Sequence, residues 1–123
     1  MVAFAIAAML ASCGNQRSTK LCSREGSIEV TGVAQLEEAV AAISEISRAP
    51  VRDRQNDLDG NPMYVLSNND VVIFVRHHFG EPCDWAEGCT WDYSLSATDA
   101  ELEHEAQKRL VDRAFGAISA ARL

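Results

Sequence analysis

The sequence predicts an α+β domain: a small antiparallel sheet of three to four strands with two amphipathic helices packed on one face. Three observations carry this. Apolar residues recur at helical spacing from Val33 to Arg48 and again towards the C-terminus. Between these stretches lie short segments of alternating character, among them Trp91, Tyr93 and Leu95 interleaved with Asp92, Ser94 and Ser96. Turn residues separate the segments, and no internal repeat interrupts the order.

The chain opens with Val2 to Ala11, apolar throughout, and its first charged residue is Arg17. A bilayer-spanning helix needs about 20 apolar residues, so this run is too short to cross. It has the length of the apolar region of a secretory signal. The positively charged opening of such signals is absent, because Val2 follows Met1 directly; this points to a true start upstream. Leu10-Ala11-Ser12-Cys13 resembles the lipobox of bacterial lipoproteins: an aliphatic residue, two small residues, then cysteine. The resemblance covers the leader alone. It implies cleavage after Ser12, a diacylglyceryl thioether at Cys13 and an acylated new amino group. Residues 1–12 are then a cleaved signal, 13–27 a lipidated flexible tether and 28–123 a single domain. Several acyl chains on one residue anchor firmly, since each buried methylene adds about 0.8 kcal/mol. Gly14 stands where an Asp would favour the inner membrane, so the expected location is the periplasm-facing surface of the cell envelope, the outer membrane above the inner.

The stretch from Cys13 to Ser27 is polar and reads as coil, with a reach of roughly 20 Å. Ile28 to Thr31 reads as a short strand. In the first helix Val33, Leu36, Ala39, Val40, Ile43 and Ile46 or Ser47 form the apolar stripe, and Pro50 ends it. Val51 to Asp59 reads as an edge strand or loop, and Asp59-Gly60-Asn61-Pro62 as a turn. Met63–Ser67 and Val71–Phe79 form a hairpin across Asn68-Asn69-Asp70. In its second strand Val71, Ile73, Val75 and Phe79 share one face, and Val72 and Phe74 the other. Residues 80–90 are a loop, followed by the strand containing Trp91. Thr98-Asp99-Ala100-Glu101 has the form of a capping box opening the last helix. Its stripe is Leu102, Ala106, Leu110, Ala114, Ala117 or Ile118 and Ala121, flanked by Val111 and Phe115.

The net charge is −7. Arg17, Lys20, Arg24 and Glu25 precede the domain, so residues from Ser27 onward hold 8 basic against 17 acidic side chains, a balance of −9. Such a domain is unsuited to nucleic acid, whose affinity comes from neutralised phosphates. It is equally unsuited to lying on anionic lipid. Membrane contact is expected through the anchor at Cys13 only.

Four cysteines are present. With Cys13 lipidated, Cys22, Cys83 and Cys89 remain in an oxidising compartment, enough for one disulfide. Cys83–Cys89 is the first choice; Cys22 paired to either is the runner-up, since spacing alone does not fix connectivity. His77 and His78 are adjacent on a strand and point to opposite faces, so they do not share one metal. With Cys83, Cys89 and His104 they match no standard zinc spacing. Asp57-Leu58-Asp59-Gly60 resembles part of a calcium loop, but the first and last ligand positions would be Gln55 and Leu66. No nucleophile elbow, zincin motif or phosphate loop occurs. No cofactor, metal or catalytic residue is therefore assigned.

The loop from Glu81 to Trp91 is the candidate recognition surface, with Trp85 and Trp91 set among Glu81, Asp84 and Glu87 and stiffened by Cys83–Cys89. The competing expectation is that both tryptophans fill the core. The expected function is non-enzymatic binding of another envelope protein, as an assembly factor, inhibitor or immunity-type protein. The alternative is an exported enzyme or metal-binding protein built on the Glu81–Asp92 region with His77 and His78.

Overall fold

The computed structural model describes residues 22–79, 83 and 85–123. The elements are β1 (Ser23–Val30), α1 (Val33–Ser47), β2 (Val51–Asn56), β3 (Pro62–Ser67), β4 (Val71–His77), β5 (Cys89–Ala97) and α2 (His104–Ala120). The five strands form one sheet in the order β1-β5-β4-β3-β2, with every neighbouring pair antiparallel. The fold is α+β as expected, with five strands where three to four were expected. Strands β2 to β5 are a meander. Helix α1 carries the chain from β1 at one edge to β2 at the other, and α2 returns over β5 and β1.

The core follows from alternation. Ile28 and Val30 on β1, Tyr64 and Leu66 on β3, Val71, Ile73 and Val75 on β4, and Trp91, Tyr93 and Leu95 on β5 are all buried. They join Leu36, Ala39, Val40 and Ile43 of α1, and Val111 and Ile118 of α2, in one cluster. The intervening residues of β3, β4 and β5 are half-buried or exposed, so the helices cover one face and leave the other open.

α1 agrees with the periodicity, save that Val33 is exposed and Ile46 only partly buried. It ends as proline dictates: Arg48 takes the left-handed conformation at φ 56° and Ala49 N–H donates to the Ser44 carbonyl. The Asn68 side chain donates to the Ser47 carbonyl at 2.9 Å, tying the hairpin turn to the helix end. The expected turn after β2 forms at Asp57, whose Oδ1 accepts from the N–H groups of Asp59 and Asn61, with Gly60 at φ 85°. β2 is a strand, exposed along its whole length.

Three expectations are corrected. The stretch assigned to a tether as far as Ser27 contains most of β1: Ser23 to Ser27 pair with Ser96 to Asp92 of β5, and Cys22 is fully buried. The structural unit therefore begins before residue 28. Thr98 does not cap the last helix. Its hydroxyl donates to the Asn69 carbonyl at 2.7 Å, Asp99 accepts from Glu101 N–H in a local turn, and α2 starts at His104. Within α2 Gln107, Val111 and Ile118 are buried, Leu110, Ala114 and Phe115 pack against the core as expected, and Leu102, now before the helix, and Ala121 are exposed. Finally, Phe79 leaves the buried face of β4. His78 N–H pairs with the Thr90 carbonyl, the strand ends at His77, and Phe79 is 85% exposed in the turn that follows.

Candidate binding face

Among the described residues, those singled out in the sequence gather at one end of the core and not into an exposed site. Cys83 and Cys89 form a disulfide with Cα atoms 4.9 Å apart, which removes the runner-up pairing of Cys22 with either. Trp91 is completely buried and its indole N–H donates to the Pro62 carbonyl at 3.1 Å. Trp85, partly buried, stacks on it with ring centroids 5.3 Å apart. His77 meets the same indole edge-on at 5.0 Å. The disulfide thus holds an aromatic plug at one end of the core, and Trp91 is core rather than recognition surface. Glu87 is exposed. Glu81, Asp84 and Cys13 lie outside the described residues.

His77 and His78 do part to different surroundings. Among the described residues no group of three metal-ligating side chains comes together. Asp57, the start of the calcium-like run, spends its carboxylate on its own turn. The Asn61 backbone N–H holds that carboxyl below its ordinary value.

The open face of the sheet offers more. Phe74 projects from β4, the central strand, and is 45% exposed. Met63, Val65 and Val72 lie half-buried around it. Register sets Arg76 on the same face one step along, with Asp92 as its neighbour on β5. Phe74 and Arg76 form a ridge with a hollow on either side. One hollow, about 520 Å³, is lined by Met63, Val65, Asp53 and Gln55 on the β2–β3 side. The other, about 190 Å³, is lined by Glu25, Asp92, Ser94 and Phe79 on the β5–β1 side.

Beside this second hollow the Asp92 carboxylate accepts from the Ser27 hydroxyl at 2.9 Å and lies 2.7 Å from His78 Nδ1. These are the residue types of a nucleophilic triad in the wrong order. Activation of a serine needs the imidazole between hydroxyl and carboxylate, so that it can take the hydroxyl proton. Here the carboxylate stands in the middle and ties β1, β5 and the end of β4 together.

Sequence reasoning placed Val72 and Phe74 opposite the core face, and that was the available signal for this surface. Alternation alone did not reveal that no element among the described residues covers them. The grouping of Glu25, Ser27 and Asp92 depends on the pairing of β1 with β5, which joins residues far apart in the chain. Compared with protein family models, with curated proteins and with solved structures, the chain matches none.

Proposed function

We propose that this chain is a lipid-anchored protein of the bacterial cell envelope whose acidic domain binds another envelope protein and is not itself an enzyme. The leader and the Leu10-Ala11-Ser12-Cys13 motif support the anchor at Cys13, and with it the periplasm-facing location, the outer membrane above the inner. The observation that carries the binding role is Phe74. A large aromatic side chain, 45% exposed at the middle of a sheet face that no described element covers and set between two hollows, is the arrangement of a protein-recognition hot spot.

Two experiments test the two halves. Cells fed a fatty-acid analogue should label the wild type and not Cys13→Ala. One sulfur carries either a thioether or a disulfide, so equal labelling, or a peptide map showing a disulfide ending at Cys13, overturns the anchor. For binding, a photo-crosslinking amino acid at position 74 of the full chain should give a discrete adduct in cells. The same probe at Glu38, exposed on α1, should not. Identical patterns from both positions would remove the binding role from this face.

A further inference from the structure

We propose that the partner docks on the open sheet face with a basic side chain in the hollow beside Glu25 and Asp92 and an apolar side chain in the hollow beside Met63 and Val65, straddling the Phe74–Arg76 ridge. This rests on the reading of the domain as a binding module and adds the chemistry of what it binds.

Charge argues for the basic group. The domain from Ser27 onward carries −9, a field that draws cationic surfaces towards it and repels acidic ones. The hollow on the β5–β1 side holds two carboxylates against one guanidinium; Asp92 is already engaged by Ser27 and His78, which leaves Glu25 as the carboxylate for a partner. Arg76 faces Asp92 across the β4–β5 ladder, whereas Glu25 lies two strands from β4, roughly 10 Å away at the usual strand spacing. Glu25 makes no ion pair among the described residues. Phe74 and the 85%-exposed Phe79 also line this hollow, and aromatic rings attract ammonium and guanidinium groups. The larger hollow differs: Met63, Val65 and Phe74 line it with apolar side chains, beside Asp53 and Gln55.

The edge of the sheet is a poorer dock. β2 carries Arg52, Asp53 and Arg54 and a register shift between Val51 and Asp53, and charge and irregularity are the features that discourage strand addition. At the other edge β1 carries Arg24, Glu25 and Glu29, charges that discourage strand addition in the same way; the face takes the partner, and recognition runs through side chains.

The test uses the full chain in cells, with the photo-crosslinker at position 74 or 79 and mass spectrometry of the crosslinked peptide. The expected partner peptide carries Lys or Arg within a few residues of a large apolar side chain. Glu25→Lys should lower the adduct yield about three- to fivefold, as expected for reversing one interfacial charge. Arg76→Gln removes the one guanidinium from the hollow and should raise the yield; a fall would count against a basic group there. Both positions are exposed, so folding is preserved. An adduct whose crosslinked peptide is acidic or uncharged, or a yield indifferent to Glu25→Lys, overturns the basic partner while leaving the binding role intact. An adduct with lipid or with a second copy of this chain also overturns it. No adduct at position 74 or 79 overturns the binding role itself.

Discussion

Gln107 is buried to 1% exposure, the only polar side chain among the buried described residues. Its Oε1 accepts from Cys22 N–H at 3.0 Å and its Nε2 donates to the Leu102 carbonyl at 2.8 Å. One amide thus satisfies the backbone just before β1 and the backbone just before α2. A leucine of similar size leaves the buried Cys22 N–H without its acceptor, at about 1–3 kcal/mol, and hands the carbonyl of the exposed Leu102 to water at little cost. Gln107→Leu should therefore lower unfolding stability by roughly 1–3 kcal/mol in a denaturant titration. Gln107→Glu, which still accepts but no longer donates when ionised, should fall between. Gly26 is a second sensitive point. A Cβ there would overlap the Tyr93 ring across the β1–β5 ladder. Gly26→Ala should cost about 1–3 kcal/mol as an overpacked site, with Tyr93 displaced. Neither residue was legible in the sequence. A glutamine in a helix reads as solvated and a glycine near a polar stretch reads as coil, until long-range pairing brings the opposing group.

At the scale of elements, β1 and α2 are joined by Arg24, which reaches Asp112 at 2.8 Å and lies 4.3 Å over the Phe115 ring. Lys108 reaches the same carboxylate at 2.9 Å from one turn away. Burial alone would raise the Asp112 carboxyl. The hydrogen bonds and charges of Lys108 and Arg24 outweigh it and hold the group below its ordinary value. A carboxyl depressed in the folded state contributes stability that is present above its unfolded value, about 3.9, and is lost as pH falls through the folded value. Acid should therefore weaken the β1–α2 joint only below about pH 4. Asp112→Asn should cost about 1 kcal/mol at pH 7, a partly exposed pair's worth, and should flatten the acid limb of stability against pH. The disulfide loop is the other element with a measurable role. Closing the short Cys83–Cys89 loop stabilises by about 2 kcal/mol on chain entropy. Replacing both cysteines with serine should lose that amount and shift tryptophan emission to the red as Trp85 leaves Trp91. Both helices, the hairpin and the turn after β2 could be read from periodicity and turn chemistry; the disulfide was a first choice that spacing alone did not fix. The start of α2 could not. Thr98 has the sequence of a cap, but its hydroxyl is taken by the Asn69 carbonyl, a partner that only the folded hairpin supplies.

For the whole molecule the decisive feature is the β1–β5 pairing, which closes the sheet between the two ends of the domain. The remaining strands follow one another in a meander and were visible as local patterns. β1 was visible only from Ile28, because Ser23 to Ser27 are polar on the open face and carry Arg24 and Gly26 on the other. That stretch resembles a tether because its buried side is filled from elsewhere, by Tyr93 over Gly26 and by Phe115 under Arg24. Tether and strand differ sharply in what deletion does. Removing Ser23–Ser27 from a tether shortens a linker, with no effect on unfolding. Removing them from this sheet strips the β5 ladder from Asp92 to Ser96, breaks the Arg24–Asp112 pair and takes Ser27 from Asp92. β5 then becomes a bare edge beside Trp91 and Leu95, an invitation to aggregation. A domain of this size is stable by only about 5–15 kcal/mol, so losing most of a strand should remove the cooperative thermal transition altogether. Calorimetry of the deleted chain beside the intact one checks this. A transition of unchanged midpoint and enthalpy would return these residues to the tether and detach the hollow beside Glu25 from the domain.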